Sequence, residues 1–125
     1  MTGSERTATT PDAALRMLGL AERAGAVIPG TSRVREAARA GRVRLVLLAS
    51  DASRNSRDKL EPLLRAAGLP FATVADRARL GVAVGKAPLS AVGITDAALA
   101  RRIGQLAGIG EPQGEEPEVP RSDEL

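Results

Sequence analysis

The sequence predicts an α/β fold, a three-layer α/β/α sandwich around a central sheet of about four strands. Amphipathic helical segments alternate along the chain with short apolar segments, which is typical of helices packed on both faces of a sheet. The run Leu45–Ala49 is apolar at every position, as expected of a strand that is buried on both faces. The order and the directions of the strands do not follow from this pattern.

The first helix and the first strand are predicted from the turn residues around them. Thr10 is a good helix cap and Pro11 suits the first helical position, so a helix begins there, and Gly25 ends it. Residues 27–28 then form a short strand that Pro29 and Gly30 stop. The residues of this helix expected to face the core are Ala14, Met17, Leu18, Ala21 and Ala24.

A second and a third helix are expected on either side of the central strand. Thr31 or Ser32 caps the second helix, which Gly41 closes. The third helix follows the polar residues 50–53 and ends at Gly68, and Pro62 inside it predicts a kink or a late start. The residues of these helices expected to face inward are Val34, Ala37, Ala38, Leu60, Leu63, Leu64 and Ala67.

The last third of the chain predicts two more strands and two more helices. Residues 70–74 form a strand, after which Asp76 caps a short helix that extends to Gly85. Residues 89–94 form the last strand, and Thr95 or Asp96 caps the final helix. The apolar residues expected to anchor these two helices are Leu80, Val84, Leu99, Ile103 and Leu106.

The charge of the chain is divided between two regions. Residues 1–110 contain 17 Lys and Arg against 9 Asp and Glu, a net charge of +8, whereas residues 111–125 contain 1 against 6, a net charge of −5. We predict a flexible segment over residues 1–10, one domain over residues 11–108 and a disordered acidic tail over residues 109–125. The basic body favours a polyanionic partner, and we expect the tail to compete for its basic face.

Several functional classes are excluded by residue types that the chain lacks. It contains no Cys and no His, which excludes disulfides, zinc fingers and catalysis by thiol or imidazole groups, and we expect no cofactor and no metal. Phe71 is the only aromatic residue, so the chain cannot form an aromatic platform for stacked bases. The first residues lack the apolar segment of a signal peptide, so we expect a cytoplasmic protein.

The N-terminus of the second helix is the first candidate site for an anion. Gly30, Thr31 and Ser32 offer backbone N–H groups, hydroxyls and the positive end of the helix dipole, and Arg33 lies in the first turn. The same helix carries arginines at positions i, i+4 and i+7, namely Arg35, Arg39 and Arg42. A solvated basic helix face with an ordinary cap is the alternative interpretation.

Two loops are further candidates. The loop over residues 50–57 is small, polar and basic, and it follows the central strand, where ligands of α/β sheets tend to bind. The alternative is a plain helix start with Ser53 or Asn55 as its cap. Residues 85–88 combine a glycine, Lys86 and a stiffening proline, although a helix C-cap explains the glycine equally well.

Catalysis is a third hypothesis, which two carboxylates could support. Asp51 and Asp76 both fall near strand ends, and paired carboxylates can transfer protons or bind a metal. Each of them is better placed as a loop residue or a helix cap, and no His, Cys or Tyr exists to assist them. We therefore expect that the protein is not an enzyme.

The sequence resembles the kink-turn-binding ribosomal protein superfamily, the L-seven-Ae class, and in particular its small bacterial members. The resemblance covers residues 14–107. It is carried by Leu18-Gly19-Leu20-Ala21 with Ala24-Gly25, by Gly30, by the run Gly41-Arg42-Val43-Arg44-Leu45-Val46-Leu47-Leu48-Ala49-Ser50-Asp51, and by Leu80-Gly81 with Gly85-Lys86. It implies the α/β/α sandwich and an RNA-binding function.

The resemblance also implies how RNA would be held. Members of this family contact RNA with a second helix that begins Gly-x-Asn-Glu-x-x-Lys, with the loop after the central strand and with the loop before the last strand. Here the glycine is Gly30, whereas Ser32, Arg33 and Glu36 occupy the Asn, Glu and Lys positions. Arg33 reverses the charge of a base-reading carboxylate and favours phosphate instead.

We therefore expect a protein that docks structured RNA by phosphate and backbone contacts, with a kink-turn as a candidate RNA. The expected RNA is ribosomal or another non-coding RNA, the ribosome is a candidate site of action, and the expected oligomeric state is a monomer. The predicted contact residues are Gly30, Thr31, Ser32, Arg33, Arg35, Arg44, Ser50, Asp51, Ala52, Arg54, Lys86, Ala87 and Pro88. The alternative is a protein–protein adaptor on the same fold without RNA specificity.

Overall fold

A computed structural model describes residues 11–109, and these contain five helices and one four-stranded sheet. The helices are α1 (Pro11–Arg23), α2 (Thr31–Arg39), α3 (Arg54–Ala67), α4 (Arg77–Ala83) and α5 (Ala97–Leu106). The strands are β1 (Val27–Pro29), β2 (Leu45–Ala49), β3 (Phe71–Ala75) and β4 (Ala91–Ile94). The predictions for residues 1–10 and 110–125 lie outside the described residues.

The sheet is mixed, with the strand order β1-β4-β2-β3. Strand β4 is antiparallel to both of its neighbours, β1 and β2, whereas β3 is parallel to β2. Strands β1, β2 and β3 therefore run in one direction and β4 runs in the other. This arrangement places the carboxyl ends of three strands and the amino end of β4 at one edge of the sheet.

The three-layer sandwich is confirmed by the two cores on either side of β2. Leu45, Leu47 and Ala49 belong to one core, which α1, α4 and α5 complete, whereas Val46 and Leu48 belong to the other, which α2 and α3 complete. The whole of β2 is buried. Alternate side chains of a strand point to opposite faces, so an unbroken apolar run is what this central position requires.

Most of the predicted helix boundaries are confirmed, including three caps. Asp76 and Asp96 accept hydrogen bonds from backbone N–H groups in the first turns of α4 and α5, and Ser53 does the same for α3. Gly68 closes α3 in the left-handed conformation, with φ 68°. Gly41 follows α2 with φ 73°, and its N–H donates to the Ala38 carbonyl.

Some details of the prediction were wrong. Neither Thr31 nor Ser32 caps α2, because Gly30 is the capping residue and no side chain accepts a hydrogen bond there. Helix α3 begins at Arg54 and runs through Pro62, so the late start is not observed. Ala67 is exposed, since the last turn of α3 extends past the edge of the core. Strands β3 and β4 begin one and two residues later than expected.

Ile109, the last described residue, is packed against the domain. The Ile109 N–H donates to the Gly104 carbonyl at 2.9 Å, and its side chain packs against the core formed by α1, α4 and α5. No helix among residues 11–109 is long and apolar enough to cross a lipid bilayer. The same residues contain no group of three or more acidic side chains placed to hold a metal ion.

Candidate nucleic-acid interface

The three predicted contact segments meet at one edge of the sheet, which we call the loop edge and define as residues 30–35, 50–54 and 85–88. Gly30, directly after β1, donates its N–H to the Ala91 carbonyl at 2.9 Å. Ala49, at the end of β2, donates to the Ser90 carbonyl at 2.9 Å. Ser90 precedes β4 and Ala91 begins it, so both acceptors follow residues 85–88 by only a few positions. The strand directions thus bring together segments that are far apart in the sequence.

Helix α2 presents its N-terminus at this edge. The backbone of Gly30 has φ 99° and ψ 143°, a conformation that is strained for any residue with a side chain. No side chain of residues 11–109 caps the helix, so within this part of the chain the N–H groups of its first turn are available to an external acceptor. Ser32 and Arg33 are exposed beside them and Arg35 is half-buried. Backbone donors, the helix dipole and two guanidinium groups make this end suitable for an anion.

The start of α3 is tied to the start of α2 by hydroxyl groups. The Thr31 hydroxyl donates to the Ser56 hydroxyl at 3.2 Å, and the Ser56 N–H donates to the Ser53 hydroxyl at 3.1 Å. Thr31 is therefore a bridging residue, whereas Ser32 stays exposed. The bridge holds residues 50–54 next to the N-terminus of α2 and leaves Arg54 exposed.

Arg57 holds the loop after β2 by hydrogen bonds to its backbone, a role that the sequence does not predict. Its guanidinium group donates to the carbonyls of Ala49 and Ser50, each at 3.2 Å, and forms an ion pair with Glu61 at 3.1 Å. The spacing of Arg57 and Glu61 by four residues indicates the ion pair. The two bonds to backbone carbonyls depend on the turn after β2 and have no pattern in the sequence.

Asp51 anchors the same loop to α4. Its carboxylate accepts a hydrogen bond from the Arg77 N–H at 2.8 Å and lies 3.5 Å from the Arg77 Nε. The hydrogen bond from the Arg77 backbone, helped by the Arg77 charge, lowers the pKa of Asp51 below its ordinary value. Asp76 accepts from the Arg79 N–H at 2.8 Å. Both carboxylates considered for catalysis thus satisfy N–H groups in the first turn of α4.

Residues 85–88 lie against α4 at Gly81. The Lys86 N–H donates to the Gly81 carbonyl at 2.8 Å. A Cβ atom on Gly81 would lie 2.3 Å from the Ala87 carbonyl oxygen, so only glycine permits this approach. Lys86, Ala87 and Pro88 are exposed as a result. Gly81 is part of the family resemblance, but no pattern in the sequence predicts its contact with residues 86 and 87.

Arg44 does not belong to the loop edge. It precedes β2, and its N–H donates to the Ile94 carbonyl at 2.8 Å, at the carboxyl end of β4. The five residues of β2 separate Arg44 from Ser50, which places the two residues roughly 20 Å apart. Arg39 and Arg42 also lie away from the loop edge, because α2 runs from Gly30 toward the opposite side. Only Arg33 and Arg35 of the second helix remain near its N-terminus.

The single aromatic residue is also remote from the loop edge. Phe71 begins β3 and pairs with Val46, and the Arg65 guanidinium group lies 5.5 Å above its ring. This cation–π contact contributes on the order of 0.5–1 kcal/mol. Because β3 is parallel to β2, the start of β3 lies at the edge of Arg44. The described loop edge therefore offers backbone donors, hydroxyls and cations, without an aromatic ring.

Comparisons with known proteins agree with this architecture. Residues 12–103 match the model of the "Ribosomal protein L7Ae/L30e/S12e/Gadd45 family". The chain is 37% identical over 87 residues to the "RNA-binding protein YlxQ" of Bacillus subtilis (strain 168), covering 70% of this chain and 87% of that protein.

Two solved structures are also similar. One is a protein of unknown function from Bacillus halodurans, with a TM-score of 0.73 and 35% identity, covering 76% of this chain and 96% of that one. The other is the 15.5kD RNA binding protein of Giardia lamblia, with a TM-score of 0.69 and 19% identity, covering 86% and 89% of the two chains. The second likeness concerns the fold alone. With the family model spanning most of its length, this chain belongs to the ribosomal protein L7Ae/L30e/S12e/Gadd45 family.

Proposed function

We propose that this protein binds structured RNA through the loop edge, as a ribosomal-protein-like RNA-binding protein without catalytic activity. The observation that carries the proposal is the uncapped N-terminus of α2, which lies beside Arg33 and Arg35 and next to the loop after β2. Membership of the family supports it, as does the similarity to a relative named as an RNA-binding protein. Asp51 and Asp76 act in this proposal as structural acceptors for α4.

The chemistry of the loop edge favours the sugar–phosphate backbone over the bases. Backbone N–H groups and guanidinium groups bind phosphate oxygens, and such contacts position a protein on RNA without selecting a sequence. Arg33 replaces the carboxylate that would accept hydrogen bonds from base amino groups in the family pattern. We propose binding to folded RNA with relaxed preference for a kink-turn.

The finer parts of the proposal concern the partner and the setting. We propose that the RNA is ribosomal or another non-coding RNA, that the protein acts as a monomer in the cytoplasm, and that the ribosome is one of its sites of action. No cofactor takes part in this mode of binding. Crosslinking in cells, followed by sequencing of the attached RNA, identifies the RNA directly.

The test compares charge reversal at the two ends of α2. Arg33→Glu with Arg35→Glu places two negative charges at the loop edge, and we expect RNA affinity to fall roughly 30-fold or more at low salt. Arg39→Glu with Arg42→Glu is the matched control, because it reverses the same number of charges at the other end of α2, at Arg39 in its last turn and at Arg42 just beyond it. The control should lose threefold or less, on the order of what screened long-range charge allows.

Filter binding at several salt concentrations measures both effects. Log affinity falls as log salt rises, and this dependence should become less steep by about 2 units for the loop-edge variant, one unit for each lost phosphate contact. Equal losses in both variants would place the RNA elsewhere. Failure of the unmodified protein to bind folded RNA at low salt would refute the function, and protein partners retained after nuclease treatment would then support the adaptor alternative.

A further inference from the structure

A groove on the other side of the molecule lies apart from the loop edge. The outward face of α1 forms its floor, and α4 and α5 form its walls, enclosing about 870 Å³. None of residues 30–35, 50–54 or 85–88 lines it. It faces away from α2 and α3, which pack on the opposite face of the sheet. The proposed RNA-binding function makes no use of this groove.

The groove combines an apolar strip with arginines. Leu20 on the floor and Val82 on one wall are 49% and 78% exposed, and they are the large apolar side chains that the described part of the chain leaves most exposed. The cations that line the groove are Arg16, Arg23, Arg79 and Arg102. No acidic residue among residues 11–109 lines it. Such a surface fits an anionic segment that also carries some apolar side chains.

Three of these four arginines have no acidic partner within the described residues. Arg79 pairs with Asp12 at the start of α1. Arg16, Arg23 and Arg102 form no ion pair with any acidic group of residues 11–109. Clustered like charges on a shared surface repel one another, and an anion placed between them relieves that repulsion. As far as residues 11–109 are concerned, the groove therefore has an excess of positive charge.

The described part of the chain ends close to this groove, and the sequence that follows is acidic. Leu106, the last residue of α5, lines the groove, and Ile109, the last described residue, donates its N–H to the Gly104 carbonyl and so stays close to the end of α5. Residues 110–125 contain six Asp and Glu against one Arg, a net charge of −5, together with Val119 and several prolines. Sixteen residues can extend about 50 Å. Helix α1, with its 13 residues, is only about 20 Å long.

We infer that residues 110–125 bind in this groove of their own chain, with their carboxylates against Arg16, Arg23 and Arg102 and their apolar residues on Leu20 and Val82. Attachment to α5 makes the association intramolecular, so the effective concentration of the segment is in the millimolar range. This inference places the acidic tail away from the loop edge, in contrast to the sequence-based expectation that it competes for the RNA-binding face.

Photo-crosslinking of the full chain tests the inference without RNA. Val82→p-benzoylphenylalanine puts the reactive group in the groove at a side chain that makes little contact with the core, and Lys59→p-benzoylphenylalanine puts it on α3, across the sheet. Mass spectrometry should find adducts from position 82 to residues 110–125 and few from position 59. An equimolar mixture of ¹⁴N- and ¹⁵N-labelled protein separates adducts within one chain from adducts between chains.

A charge variant with a matched control completes the experiment. Arg102→Glu should reduce the yield of the position-82 adduct roughly threefold, as expected from reversing an exposed ion pair. Arg101→Glu changes the neighbouring exposed residue, which does not line the groove, and should leave the yield unchanged. Equal losses in the two variants, equal yields from positions 82 and 59, or adducts formed between chains would each overturn the inference.

Discussion

The two edges of the sheet carry similar charges in opposite structural settings. At the loop edge, Arg33 lies in the first turn of α2, where backbone N–H groups point outward and the helix dipole is positive. At the opposite edge, Arg39 lies in the last turn of the same helix, followed by Arg42 and Arg44. There the carbonyl groups and the negative end of the dipole face the arginines.

Because of this difference, some of the arginines stabilise their own helix, whereas others do not. An arginine near a helix C-terminus offsets the dipole, which typically stabilises a helix by 0.3–1 kcal/mol. Arg33, at the positive end, is mildly unfavourable for its helix, so its placement is better explained by an external anion. A count of basic residues is therefore a poor guide to a binding site unless the direction of the helix that carries them is known.

The largest expected effect is on the free energy of unfolding, when Gly81 beside the loop edge and Gly41 at the opposite edge are each replaced by alanine. Gly81→Ala would force a Cβ atom into the backbone of residues 86–87, so we expect unfolding free energy to fall by roughly 2–4 kcal/mol. Gly41→Ala, at the opposite edge, meets no atom within 4 Å and only a strained φ, and should cost about 1 kcal/mol. Urea denaturation of the two variants measures the difference. Similar losses would mean that residues 85–88 do not depend on close packing at Gly81.

The fold was predictable because its strongest features are local. The continuous apolar run of β2, the helical periodicity of α2 and α3, and caps such as Asp76 all act within a few residues. The strand order is set by contacts distant in sequence, such as the pairing of Val27 with Ile94, and no local pattern predicts it. The missed cap of α2 has the same origin, because Thr31 uses its hydroxyl to reach Ser56, 25 residues away.

The three predicted contact segments lie together at one edge of the sheet, whereas Arg44 lies at the other edge. Residues 30–35, 50–54 and 85–88 were identified from polarity, helix ends and the family resemblance, and the strand directions bring them together. Arg44 was grouped with them because it adjoins the same strand as Ser50. The two ends of a strand lie on opposite edges of a sheet, so sequence proximity to β2 gave the wrong side. Arg57 falls within the candidate loop over residues 50–57, but its hydrogen bonds were not predicted because their acceptors are backbone carbonyls.

An intermediate effect, on the preference between two kinds of RNA, is expected when the family pattern is restored at the N-terminus of α2. Ser32→Asn, Arg33→Glu and Glu36→Lys together leave the net charge of the helix unchanged. We expect the preference for a kink-turn over an uninterrupted RNA duplex to rise about tenfold, since a base-reading carboxylate and amide replace a phosphate-binding cation. Competition binding with both RNAs measures this ratio.

The control for that variant exchanges charges at a distant place. Asp58→Lys with Lys59→Asp also conserves the net charge, and both residues are exposed on α3. It should leave the ratio of the two affinities within about twofold, because it does not alter the α2 donors. An unchanged ratio in the triple variant would show that the three departures from the family pattern do not set RNA preference, and the comparison of the two edges would then rest on phosphate contacts alone.

The smallest effect concerns Asp51, an acidic group at the otherwise basic loop edge. The Arg77 N–H holds the pKa of Asp51 below its ordinary value of 3.8, so the folded state favours the ionised carboxylate. Its contribution to stability is present above pH 3.8 and is lost as the pH falls through the lowered folded-state pKa.

Asp51→Asn should therefore lower the urea midpoint slightly at pH 7, and the difference from the unmodified protein should shrink toward pH 3 and below. Asp58→Asn, at an exposed position of α3, serves as the control and should show no such convergence. A difference for Asp51→Asn that is as large at pH 2.5 as at pH 7 would show that the ionised carboxylate does not anchor the loop to α4.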